Sequence, residues 1–353
     1  MKQDASLNDR QKDVLQAVVT THIMTASAVG SRTVAKKMGF KLSPASIRNV
    51  MADLEEQGYV RQPHTSAGRV PTDVGYRVYV DDLMDIYELA LDELLRIEES
   101  LGPGVVGLEE LMGLACRLLS FLTQYTAVVQ TPKVETETIR HVEIVSLTSE
   151  KILTILVTNL GEVRKRVFSR PARLADEEIE KLSAYLNREF CSLSFAGARS
   201  HLESYHKLSS ASEDYLLSQL AIEVMAGLFF DETPREVFLV GMENIFSQPE
   251  FQDVERLRPL LKVLDEKKQL NELFETFLCG EMTPGVYIRI GRENPVDGIT
   301  SCSVIASPYH IGGRTMGAIG VIGPTRMHYA RASSLVAVVA DKLGHILTVL
   351  SGG

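Results

Sequence analysis

The chain is 353 residues long, 45% hydrophobic and 24% charged, enough for two or three domains with ordinary cores and unlike the composition of a disordered chain. No run approaches the ~18 to 20 apolar residues needed to cross a bilayer, and the polar start MKQDASLNDRQKD has no signal-peptide core, so the chain is expected in the cytosol. The net charge of −9 is unevenly spread: residues 31–69 hold seven bases (Arg32, Lys36, Lys37, Lys41, Arg48, Arg61, Arg69) against three acids, a net of +4, which leaves −13 for the remainder. A basic nucleic-acid-binding module on an acidic body has this asymmetry.

Asn8 and Gln11 stand at capping-box spacing, so each side chain can satisfy the other's orphan backbone donor at a helix start. Val14, Leu15, Val18, Val19 and Ile23 then recur on one face of a first helix. SRTVAKKMG predicts a short second helix, with Ser31 as N-cap and Gly39 as the stop. Ser43 followed by Pro44 starts a third, since proline's missing N–H is no loss at the first helical position. Ile47, Val50, Met51 and Leu54 form its inward stripe, and Ser46, Arg48, Asn49 and Asp53 its solvent face.

A polar N-terminal face on the last of three helices suggests a helix-turn-helix, whose recognition helix lies in the major groove. Gly58 ends that helix; YVRQP predicts a strand, HTSAG a turn and RVP the returning strand. Such a hairpin is the wing of a winged helix: its small tip lets the backbone approach a phosphate or minor groove, and Arg61 and Arg69 supply charge. Three-helix modules with a hairpin also serve as protein-interaction domains, and pattern alone leaves that alternative open.

The run SPASIRNVMADLEEQGYVRQPHTSAGRVPTDVGYRVYVDDL closely resembles the N-terminal block of the HrcA family, the heat-inducible transcription repressors of bacteria. GMENIF at 241–246 and GPTRMHYA at 323–330 are similar to that family's body motifs, so the resemblance spans the chain. One departure is Ser27-Ala28, where the family usually has Glu-Pro; it concerns the turn into the second helix. The resemblance implies a dimeric repressor of chaperone operons that binds double-stranded DNA at an inverted-repeat operator and is regulated by the chaperonin. It places Ser43, Ser46, Arg48 and Asn49 on the recognition helix, and Arg61, His64, Thr65, Ser66 and Arg69 on the wing. Arg48 and Asn49 are the candidates for base contact, since Arg pairs bidentately with guanine and Asn with adenine; phosphate contact is the alternative for either.

Residues 81–99 carry eight acids and one arginine, with Leu83, Ile86, Ala90, Leu94 and Ile97 as a thin apolar stripe, which predicts a linker helix. GPGVVG at 102–107 fits G-x-G-x-x-G, but the dinucleotide fingerprint needs a preceding strand and an acid about 20 residues later. Here a helix precedes and Val128 stands near the acid's place, so an inter-domain loop is expected.

A helix from Leu108 to about Thr123 leads into β-rich segments up to Arg170, then helical stretches at ADEEIEKLSAYLNREF and SEDYLLSQLAIEVMAGLFF, then strands again from EVFLVG to MGAIGVIG, and an apolar helix from Tyr329 to Leu350. A sheet begun before 170 and completed after 285 predicts an α+β domain carrying an insertion. The resemblance names the parts a GAF-like domain and an inserted dimerisation domain. The expected bounds are 1–80 winged helix, 81–104 acidic helical linker, 105–168 GAF-like first part, 169–235 inserted domain and 236–353 GAF-like second part.

Two other classes of function fare worse. A metabolite-gated repressor would follow only from fold analogy. For an enzyme, HVE at 141 and HLE at 201 match half of a zinc-deaminase signature without P-C-x-x-C, and no P-loop, G-x-S-x-G or H-E-x-x-H is present. His141 and His201 are expected to be ordinary strand and helix residues. Cys116, Cys191, Cys279 and Cys302 form no C-x-x-C pair, so they are read as small core residues rather than metal or disulfide partners. No cofactor is expected.

Overall fold

The computed structural model describes residues 7–39, 41–64, 67–102, 107–132, 137–170, 175–205, 214–229, 235–278 and 285–351. It begins with a head of three helices, α1 (Asp9–Thr25), α2 (Ser31–Lys37) and α3 (Pro44–Glu56), and a short antiparallel hairpin of β1 (Val60–Arg61) and β2 (Val70–Pro71). The Asn8–Gln11 capping box closes the start of α1, and Ser43 caps α3 with Pro44 in its first turn. The cap of α2 differs from expectation: Gly30 occupies the N-cap and Ser31 is already helical. Ile47, Val50, Met51 and Leu54 are buried as their spacing required.

After α4 (Asp73–Val78) and a π-helical turn at Tyr79–Leu83, the chain leaves helical conformation. It resumes at α5 (Leu91–Ser100), so the acidic stretch is not one continuous helix. Met84 turns extended, and the intervening strap is pinned by the body: the Ser334 hydroxyl donates to the Tyr87 carbonyl at 2.7 Å, and Arg331 donates twice to Glu93. Ile86, read as a stripe residue, is 92% exposed.

The body has two sheets. Helix α6 (Leu108–Thr123) leads into β3 (Thr126–Gln130), which is buried along its whole length. The next three strands, β4 (Ile139–Thr148), β5 (Lys151–Thr158) and β6 (Val163–Ser169), pair only with one another. Helices α7 (Asp176–Phe190), α8 (Phe195–Tyr205) and α9 (Asp214–Phe229) cover one face of that sheet with a core of their own.

The chain then returns through β7 (Val237–Val240), α10 (Glu243–Phe246), α11 (Val254–Asp265), α12 (Lys267–Glu275), β8 (Tyr287–Ile290), β9 (Cys302–Ile311), β10 (Arg314–Pro324) and α13 (Tyr329–Leu350). Strands β7-β3-β10-β9-β8 make a five-stranded antiparallel sheet in that order. Its two faces bury separate clusters, one against α6 and α13, the other against α11 and α12. Covering both faces explains why β3, β9 and β10 are near-continuous apolar runs.

Strands β4 to β6 take no part in the five-stranded sheet and share a core with α7 to α9 instead, although β4 to β6 fall within the expected 105–168 part. The sequence carries a trace of the difference: β5 alternates buried and half-buried residues, the mark of a sheet covered on one face, whereas β3 does not. Helix α13 also qualifies the membrane reading, being long and apolar enough to span a bilayer by length and composition. Here Leu335, Val336, Val339, Leu343 and Leu347 bury one stripe of it in the core shared with the sheet and α6.

Just before β4, Glu137 is 1% exposed, with Thr158 and Glu162 beside its carboxyl. Burial pushes its carboxyl up to about 8, and the neighbouring Glu162 charge adds to the rise. The folded chain therefore keeps a proton that the unfolded chain releases near 4.5, so this group's contribution to stability falls as pH rises from there through about 8. Glu137→Gln should stabilise the chain by about 2 kcal/mol at pH 8 and flatten its stability between these pH values. Melting curves of both proteins across that range check this; parallel pH profiles would contradict it.

Candidate nucleic-acid interface

The exposed face of α3 carries Arg48 and Asn49, with Ser46 half-buried at its N-terminal side. Arg48 forms no ion pair among the described residues. Ser43 and Ser46 are partly committed to the helix start: the Ser43 hydroxyl accepts the Ser46 N–H at 3.1 Å and donates to the Ser46 hydroxyl at 2.9 Å. Capping thus fixes the first turn, which sets the direction in which Arg48 and Asn49 project.

The hairpin is held to the head from both sides. Val29 pairs with Arg69 as an isolated bridge, which ties the turn before α2 to the hairpin. Gly68 makes that approach possible, since a Cβ there would lie 2.3 Å from the Val29 carbonyl oxygen. Glu55, near the end of α3, accepts the Gln62 backbone N–H at 2.8 Å and pairs with the Arg69 guanidinium at 2.7 Å. His64 is exposed at the tip and its carbonyl accepts the Ala67 N–H. Thr65 and Ser66 lie outside the described residues.

The Arg69 side chain is 18% exposed, and Glu55 offsets its charge. The basic residue was legible in the sequence, but its partner, fourteen positions earlier, was not. Arg61 remains exposed. Arg69→Ala is now expected to lower the salt slope of DNA binding by clearly less than one and to destabilise the head by about 1 kcal/mol, the range of a partly exposed ion pair. A titration over several salt concentrations measures the slope, and a full unit of change would restore Arg69 as a phosphate contact.

Sequence reading had counted Arg32, Lys36 and Lys41 only as charge. All three are exposed on or beside α2, the helix that crosses the backbone in this kind of docking. Lys37, also exposed, differs in that its ammonium donates to the Thr20 hydroxyl, and partial desolvation pulls its pKa down. The His141 ring pairs with Glu143 on an exposed strand face, and no group of three or more His, Cys, Asp or Glu able to hold a metal occurs among the described residues.

These features define a class: an α+β protein with a basic helix–helix–helix–hairpin head, docked on a body of two separate sheets. Residues 109–332 match the family described as HrcA protein C terminal domain. The heat-inducible transcription repressor HrcA of Pelotomaculum thermopropionicum is 38% identical over 341 residues, 97% of each chain. Its counterpart in Carboxydothermus hydrogenoformans is 37% identical over 343 residues, 97% of this chain and 98% of that one. A crystal structure of a hypothetical protein at 2.2 Å superposes with a TM-score of 0.66 at 25% identity, covering 98% of this chain and all of the other. The chain belongs to the HrcA family.

Proposed function

We propose that this protein represses transcription of heat-shock chaperone operons by binding an inverted-repeat operator as a homodimer. The observation that carries the reading is near full-length similarity to heat-inducible transcription repressors together with an open α3 face bearing Arg48 and Asn49 beside a hairpin. The head acts as a winged helix: α3 enters the major groove, Arg48 and Asn49 meet base edges, and Arg61 and His64 on the hairpin reach the backbone or minor groove. Exposed Arg32, Lys36 and Lys41 add phosphate contacts.

The body serves as a GAF-like domain, formed by the five-stranded sheet, interrupted by a dimerisation domain, formed by β4 to β6 and α7 to α9. The outer face of the three-stranded sheet supports this role. Val145, Leu147, Val163 and Val167 are 41 to 59% exposed there, around the half-buried Leu153, Ile155 and Val157 of β5. A contiguous exposed apolar patch marks an association site. Glu143 and Lys165 flank Ile155 in one cross-strand row, so a two-fold-related copy can set each acid against the other copy's base. The family resemblance supplies the chaperonin as regulator and, with DNA as ligand, a cytoplasmic setting.

Run-off transcription from the promoter of the organism's own chaperonin operon tests the function. Added protein should suppress the transcript from a template carrying the inverted repeat and spare one whose repeat is scrambled. Equal transcription from both, with and without chaperonin, would contradict it.

A further inference from the structure

The segment TDVGYR, at 72–77, lies in the most distinctive run of the sequence, yet three of its side chains, Asp73, Tyr76 and Arg77, face the body rather than an open surface. Asp73 opens α4, and its carboxylate accepts the Arg292 backbone N–H at 3.1 Å. Gly291 permits that contact: its φ is +55°, and a Cβ would stand 2.3 Å from the Asp73 carboxylate. One turn later the Arg77 guanidinium donates to Glu293 at 2.9 Å, to the Ile288 carbonyl at 2.6 Å, and to Asp81 at 3.0 Å. Tyr76, between them, is 2% exposed. Its hydroxyl lies 2.8 Å from His22 Nδ1 of α1, and its ring packs 5.9 Å from that of buried Tyr329, whose own hydroxyl pairs with Ser303 of β9.

Further contacts brace the same joint. Arg326 reaches the Ile23 carbonyl at the end of α1 while paired with Glu250. One hydrophobic cluster runs without a break from the head helices through Tyr76 and Tyr79 to α6 and α13. A flexible linker would show neither the bidentate ion pair nor the shared core. The head is seated on the β8 edge of the body in one orientation, through side chains that leave the Arg48 face free.

We infer that Asp73, Tyr76 and Arg77 are positioning residues, which fix the heading of the recognition helix on the body and thereby the spacing of operator half-sites that the dimer accepts. This rests on the dimeric DNA-binding reading above. When two modules are held rigidly, the second engages at an effective concentration that is high at one separation and falls away at others. Loosening the joint spreads that concentration over many separations without touching either module's contact with its own half-site.

The test is fluorescence anisotropy of the full-length protein on a half-site duplex and on a series of full repeats whose spacer is shortened or lengthened by up to half a helical turn. Native protein should bind one spacing best. Arg77→Glu, and the milder Glu293→Gln on the body, should keep native half-site affinity, lose about tenfold or more on the best repeat, and bind the shifted repeats nearly as well. Arg77→Glu combined with Glu293→Arg should recover spacing preference, which a merely destabilised head would not do. Unchanged spacing preference in both single variants would overturn the inference, as would a parallel loss of half-site affinity in Glu293→Gln. If native protein shows no advantage of any full repeat over the half-site, the dimeric reading itself fails, whatever the variants do.

Discussion

Replacing both Val145 and Val167 with Asp is expected to turn the protein into a monomer and to lower affinity for a full inverted repeat by about a hundredfold or more, down to that of a half-site. Both side chains are exposed on the outer face of the three-stranded sheet, 41% and 52% respectively, so the change should leave folding nearly untouched, within about 0.5 kcal/mol. Two buried carboxylates facing their symmetry mates would oppose association through desolvation and like-charge repulsion. Sedimentation and thermal melting separate the two effects. A variant that stays dimeric with native operator affinity would remove this face from the interface, whereas one that unfolds would show that the face supports the insertion instead.

Arg48→Ala carries the second large effect, an expected loss of about 1 to 3 kcal/mol on the operator with relaxed preference at one base position. The basis is geometric. Arg48 follows the capped first turn of α3, is exposed, and has no ion-pair partner among the described residues to compete for its guanidinium. Its side chain is exposed, so stability should be nearly unchanged. Equal weakening on operator and on unrelated DNA would make Arg48 a phosphate contact and move base reading elsewhere, to Asn49 first.

The head was legible because its signals are local. The Asn8–Gln11 box, the Ser43-Pro44 start and the stripe from Ile47 to Leu54 each act within one or two helical turns, and each stands in the structure as read. Long-range partners set the limits. The acid-rich run from 81 carries a helical stripe, but Ser334 holds Tyr87 in a non-helical strap, and Arg331 holds Glu93 in the helix after it, contacts that no local pattern announces. Strands β3 and β4 read alike as apolar segments, and only their pairing assigns them to different sheets. Arg69 had the charge expected of a DNA contact, while its pairing with Glu55 depends on the hairpin folding back on α3. Asp73 and Arg77 carry no role in the sequence reading, because their partners Arg292 and Glu293 lie far along the chain.

The central claim is that two heads on one dimeric body read an inverted repeat. Fluorescence anisotropy of purified protein on the repeat from upstream of its own chaperonin operon, beside a half-site and a scrambled duplex over a range of salt, tests it most directly. The account predicts preference for the full repeat by several kcal/mol over both controls, with a steep salt dependence on all three. Equal, weak binding to the three duplexes, persisting when chaperonin is added, would contradict it.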